Sequence, residues 1–188
     1  GYNFDKVLET DRSMKHYFYP VQAFQGTLDK VKLFAPFDGT VFSLNLEKDK
    51  VGGRPNNGNG INFINTVDPN VQLGFGHIYF AGNFEVGDTV HAGDLIGYAA
   101  LGDKGNDFDI DLMGMNGNID HEVLGSIFDH MTDEVLAEFS RYGITPANMI
   151  VTKEYRDANP CNFIGPDKNQ SLLGGRDNAT SWTTLSVN

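Results

Sequence analysis

The chain reads as a mainly β protein, a barrel-sandwich with one short C-terminal helix and an irregular C-terminal wrap. Three observations predict it. Branched and aromatic residues from Val31 to Leu112 come in short stretches broken by Pro36 and by Asp-Gly or Gly-Asp pairs, the punctuation of strands and hairpins. Glycine supplies 22 of 188 residues with no repeat period, which reads as many tight turns. After Asp120 the apolar spacing changes from alternation to that of a helix.

The elements follow in order. Met14–Pro20, MKHYFYP, is too aromatic to hang free and is expected to pack on the body as a strand or loop. Ala35–Val41, APFDGTV, enters a strand through Pro36 and the Asp38-Gly39 turn. Lys48–Gly60 is polar and glycine-rich, and predicts a loop without regular structure. Its glycines lack the Gly-Lys-Ser/Thr ending and following helix that a phosphate loop needs. Ile61–Val67 and Val71–Phe80 predict two strands joined by a turn at Asp68-Pro69-Asn70. Phe84–Ala99 carries Gly87-Asp88 and Gly93-Asp94 and predicts a hairpin-like unit. In Asn106–Gly114 the alternation is strict: Asp107, Asp109 and Asp111 point one way, Phe108, Ile110 and Leu112 the other.

Beyond the β body, Thr132 is a good N-cap, Asp133 and Glu134 suit a positive helix start, and Gly143 can close the end. They bound a helix at Asp133–Tyr142 with Leu136 and Phe139 on its expected buried face. Thr145-Pro146 opens another short turn. The expected division is 1–34 packed on the barrel, 35–119 as the barrel-sandwich, 120–152 as a helical segment and 153–188 as a loop-rich wrap pinned by Trp182.

Charge narrows the partners. Lys plus Arg is 14 against 25 Asp plus Glu, a net charge of −11. That balance opposes binding to a nucleic-acid backbone and docking on anionic lipid through a polybasic face. No apolar run approaches the roughly 18–20 residues of a membrane span, and none forms a leader at Gly1. Cys161 is the single cysteine, makes no internal disulfide and is read as structural. Two sequons, Asn169-Gln170-Ser171 and Asn178-Ala179-Thr180, make Asn169 and Asn178 candidate glycosylation sites and predict a secreted protein.

Two motifs carry a resemblance. APFDGTV (Ala35–Val41), followed by VGDTVHAGDLIGYA (Val86–Ala99), resembles the barrel-sandwich domains shared by lipoyl and biotinyl carriers and by lysostaphin-type zinc peptidases. A carrier needs a lysine displayed at a hairpin tip in a short Met/Ala-Lys sequence, and Ala35–Leu112 supplies none. The peptidase order fits better: GHIYF (Gly76–Phe80) resembles the segment that places the family's catalytic histidine, which implies a catalytic His77. GNDFDIDL (Gly105–Leu112) resembles the final strand, where the family carries a His-x-His pair. Asp107 and Asp109 stand at those two histidines, and the upstream His-x-x-x-Asp motif is absent, since His16 leads to Pro20.

The nearest metal set is therefore His16, Asp109 and Asp107, with His77 as base or fourth ligand. An oxygen-rich set of this kind favours harder ions than zinc, so zinc and calcium are both candidates. His77 and Asp109 are expected to meet across adjacent strands, sharing a metal or a hydrogen bond within about 8 Å. The structural alternative makes His77 a hydrogen-bonded rim histidine and the aspartate face a solvated one. His91, His121 and His130 read as turn or helix-flanking residues.

Three functions follow. The first is a secreted binding or interaction module that lacks standard zinc peptidase activity, with a peptide, cell-wall or glycan ligand. The second is a metal-dependent peptide or peptidoglycan hydrolase with a variant His/Asp site. The third is calcium-dependent carbohydrate binding through the aspartate face, with Asp103–Asp107 as a calcium-like loop.

Overall fold

A computed structural model describes residues 16–102, 107–114, 123–150 and 152–158. They fall into two compact units divided between Val123 and Leu124. The first unit holds β1 (His16–Phe18), β2 (Lys32–Phe34), β3 (Gly39–Asn45), β4 (Lys50–Val51), β5 (Arg54–Pro55), β6 (Asn59–Asn65), β7 (Val71–Phe80), β8 (Thr89–Val90), β9 (Leu95–Ala99) and β10 (Phe108–Gly114). The fold is mainly β, as the alternation and turn residues require. Its pairings are antiparallel, in the order β1-β10-β7-β6-β3-β8, with β9 joining β7 to β2.

The turns use the residues their chemistry demands. Asp68 closes the β6–β7 connection, its carbonyl accepting from Val71 N at 2.9 Å and its carboxylate from Asn70 N at 3.0 Å. Gly87 and Gly93 take φ of 99° and 88°, a region side chains avoid. The 48–60 segment is more regular than its composition suggests. Gly52 and Gly53, at φ 58° and 81°, make the two-residue tip that lets β4 pair with β5.

Ile61, Phe63, Leu73, Phe75, Ile78 and Leu112 form one apolar face, and Phe63 meets Phe75 edge-on with centroids 6.3 Å apart. β7 is the strand that shapes the unit. Its first part, to Gly76, pairs with β10; its last part, from Ile78, pairs with β9. Between them, Gly76 and His77 together face the single residue Gly60 on β6, a bulge that bends the strand from one partner to the next.

The second unit carries α1 (Asp133–Ser140), α2 (Pro146–Met149) and α3 (Lys153–Ala158). α1 starts at Thr132, whose hydroxyl accepts from Val135 N, and Gly143 with φ 78° follows its end. Leu136 and Phe139 are half-buried rather than enclosed, because a two-turn helix covers little; Phe139 packs edge-on against buried Phe128 at 5.3 Å. α2 uses the Thr145-Pro146 start. α3 is an addition, lying where the sequence reads as the beginning of the wrap. Cys161, Asn169, Asn178 and Trp182 lie outside the described residues, as does the 103–106 part of the calcium-like loop. No helix among the described residues is long and apolar enough to cross a membrane.

Candidate functional site

The second face of the β6–β7–β10 sheet is polar, and two glycines on β7 make room for it. Ser43, Asn62, Gly74 and Asp111 stand in one register row across β3, β6, β7 and β10. Asn62 donates to Ser43 Oγ at 2.8 Å and folds its amide over Gly74, where a Cβ would meet its oxygen. Asp109 does the same from the other side: it pairs with Gly76, and a Cβ there would fall on its carboxylate. Gln72 is buried on the same face.

Asp109 is only 5% exposed. A carboxylate so enclosed is costly without polar neighbours, and the His77 ring is one of the groups beside it. His77 Nε2 lies 3.7 Å from Asp109 Oδ2, inside ion-pair range and outside hydrogen-bond range. The ring's hydrogen bond goes elsewhere: Nδ1 donates to the carbonyl of Asn57 at 2.9 Å. So the expected pairing of His77 with Asp109 is present without the direct hydrogen bond. The aspartate face is not simply solvated.

The bulge aims the histidine. His77 has φ 57°, and it alone among the described non-glycine residues takes a positive φ. For an L-residue that conformation costs on the order of 1–2 kcal/mol. The end of β9 holds the backbone there, with Ala100 N donating to His77 O at 2.8 Å and Ile78 paired to Ala99.

The other expected ligands are placed differently. β1 pairs His16 with Ile110 and Tyr17 with Asp109. Directly paired residues share a face and neighbours alternate, so His16 lies on the Ile110 side and not with Asp109. Phe18 stacking on Phe108 at 5.0 Å marks that same side. The expected His16–Asp109 ligand set is thus not assembled, because the register is one residue away from it. Asp107 precedes β10, half-buried, and no ion pair or hydrogen bond links it to His77 or Asp109 among the described residues. His91 is an exposed turn residue 3.6 Å from Asp38.

Among the described residues, no three His, Cys, Asp or Glu side chains converge to hold a metal ion. A catalytic zinc takes three protein ligands. His77 and Asp109 provide two donors, so the described residues do not fit such an ion.

No protein-family model matches the chain, and no curated protein matches it. Solved structures do. The chain is similar to lysostaphin in solution at 18% identity and a TM-score of 0.39, over 57% of this chain and 38% of that one. It is similar to a putative glycyl-glycine endopeptidase lytM from Ruminococcus gnavus at 22% identity and a TM-score of 0.37, over 50% and 37%. The catalytic domain of the antimicrobial peptidase lysostaphin from Staphylococcus simulans gives 15% identity and a TM-score of 0.43, over 65% and 83%. The likeness is partial. The chain spans 38% and 37% of the first two.

Proposed function

We propose that this domain is a secreted peptide-binding module on a lysostaphin-type scaffold, with cell-wall peptides as its ligand class. One observation carries the reading. His77 and Asp109 are brought together over a glycine floor, while the ladder sends His16 to the opposite face of β10. The polar row from Ser43 to Asp111 lies on the same face and presents side-chain hydrogen-bonding groups to an extended chain running across the strands. The sequence motifs around Ala35–Val41, Gly76–Phe80 and Val86–Ala99 supply the scaffold half of the reading; the two sequons support export.

The test is binding of purified peptidoglycan fragments by protein prepared without added metal, with metal content measured on the same sample. The expected result is binding that survives chelation, with Asp109→Ala weakening it by about tenfold, the scale of a lost hydrogen bond to a charged group. Stoichiometric metal together with chelator-sensitive cleavage of those fragments would overturn the reading in favour of a hydrolase. Intact mass of native material from a glycosylating host reports whether Asn169 or Asn178 carries a glycan.

A further inference from the structure

The Asn57-Gly58 turn holds the side of the His77 ring that faces away from Asp109. A carbonyl oxygen can only accept, so the 2.9 Å contact between Nδ1 and Asn57 O requires the proton on Nδ1. Free histidine side chains favour the other neutral form, with the proton on Nε2. We propose that Asn57 and Gly58 are positioning residues that lock His77 in the Nδ1–H tautomer, so that Nε2 beside Asp109 accepts an N–H group of the ligand.

The lock is built from backbone. Gly58 has φ 74°, and a Cβ on it would come within 2.6 Å of Ile78 N, 2.7 Å of the His77 carbonyl carbon and 2.7 Å of Ala100 Cβ. Two of those three are main-chain atoms and cannot swing aside. The carbonyl of Asn57 therefore approaches the ring only because residue 58 has no side chain. Ala100 N also holds His77 O at 2.8 Å, so the residue has its backbone gripped just after β9 and its Nδ1 gripped by the turn.

The chemical consequence sits at Nε2. With Nδ1 carrying the proton, Nε2 presents a lone pair 3.7 Å from the Asp109 carboxylate oxygen. A bare Nε2 matches an N–H donor, such as a peptide's terminal ammonium or a side-chain amine or amide, and the nearby carboxylate favours a cationic one. This ligand class rests on the peptide-binding reading; the tautomer does not.

The experiment is a long-range proton–nitrogen NMR correlation of the histidine rings, recorded on the full chain at alkaline pH where the ring signals no longer move. The expected pattern for His77 is a protonated Nδ1 and a bare Nε2. Asp109→Asn should leave that pattern in place, because the turn and not the carboxylate sets it. Gly58→Ala should shift the His77 signals toward the Nε2–H form. A wild-type ring protonated on Nε2 would overturn the proposal. So would loss of the Nδ1–H pattern in Asp109→Asn, or a folded Gly58→Ala protein with the wild-type ring spectrum. If Gly58→Ala does not fold, the wild-type and Asp109→Asn spectra decide. Failure of the peptide-binding assay with an Nδ1–H ring would remove the reading and leave the lock standing.

Discussion

The two faces of the β6–β7–β10 sheet are made by the same alternation and obey opposite rules. On one, Ile61, Phe63, Leu73 and Phe75 fill space and exclude water. On the other, glycines at 74 and 76 leave space, and Asn62 and Asp109 lean into it. Stability on the first face scales with volume. On the second it depends on which polar groups meet. The same kind of substitution should therefore have different signatures on the two faces.

The largest effect is expected on the apolar face. Phe63→Ala removes a fully enclosed ring and should cost about 3–5 kcal/mol in urea unfolding. A cost below about 1 kcal/mol would show that this face is not the core.

Next is Gly76→Ala, which adds volume where Asp109 lies. It should cost about 1–3 kcal/mol and separate Asp109 from His77. Because the clash is with that carboxylate, combining Gly76→Ala with Asp109→Ala should recover part of the loss in a double-mutant cycle. Strict additivity would place the strain in the backbone instead.

His77 offers a sharper comparison. If its positive φ is retained, His77→Gly should be more stable than His77→Ala by about 1 kcal/mol, because glycine enters that region without penalty. Equal stabilities in parallel denaturant titrations would mean the bulge relaxes when the ring is removed.

The smallest expected effect lies off the sheet, in α1. The Glu134 backbone N–H and the Thr132 hydroxyl hold the Glu134 carboxyl below its ordinary value of 4.5. A lowered folded-state pKa adds stability above the unfolded value and loses it as pH falls through the folded one. Glu134→Gln should therefore lower the melting temperature slightly at neutral pH, with the difference from wild type vanishing as pH falls through the carboxyl's folded value. A difference that persists at low pH, where the carboxyl is protonated, would require a role beyond its charge.

These contrasts also mark what could be read in advance. The strands at Ile61–Val67 and Val71–Phe80, the Asp68 turn and the Asp133 helix start were legible because each rests on local chemistry: alternation, Asx turns, capping. The closeness of His77 and Asp109 was legible too, through the order of the motifs. The facing of His16 was not, because one step of register in a three-residue strand reverses it and MKHYFYP contains nothing that sets the step. Asn57 left no trace either, since it acts through its carbonyl, which every residue possesses. Gly58 was visible only as one glycine in a run.

The bulge at His77 has a further meaning when the strand is read as counted positions. Before it the enclosed apolar residues of β7 are Leu73 and Phe75, two apart; the next is Ile78, three apart. Strike out His77 and the count is regular: 73, 75, then 78 in the place of 77. β7 thus has the pattern of an ordinary strand into which one extra residue has been inserted, and that residue is the one facing Asp109. The site and the change of strand partner enter together with a single position, and a one-residue deletion would be expected to take both away while leaving the hydrophobic phase intact.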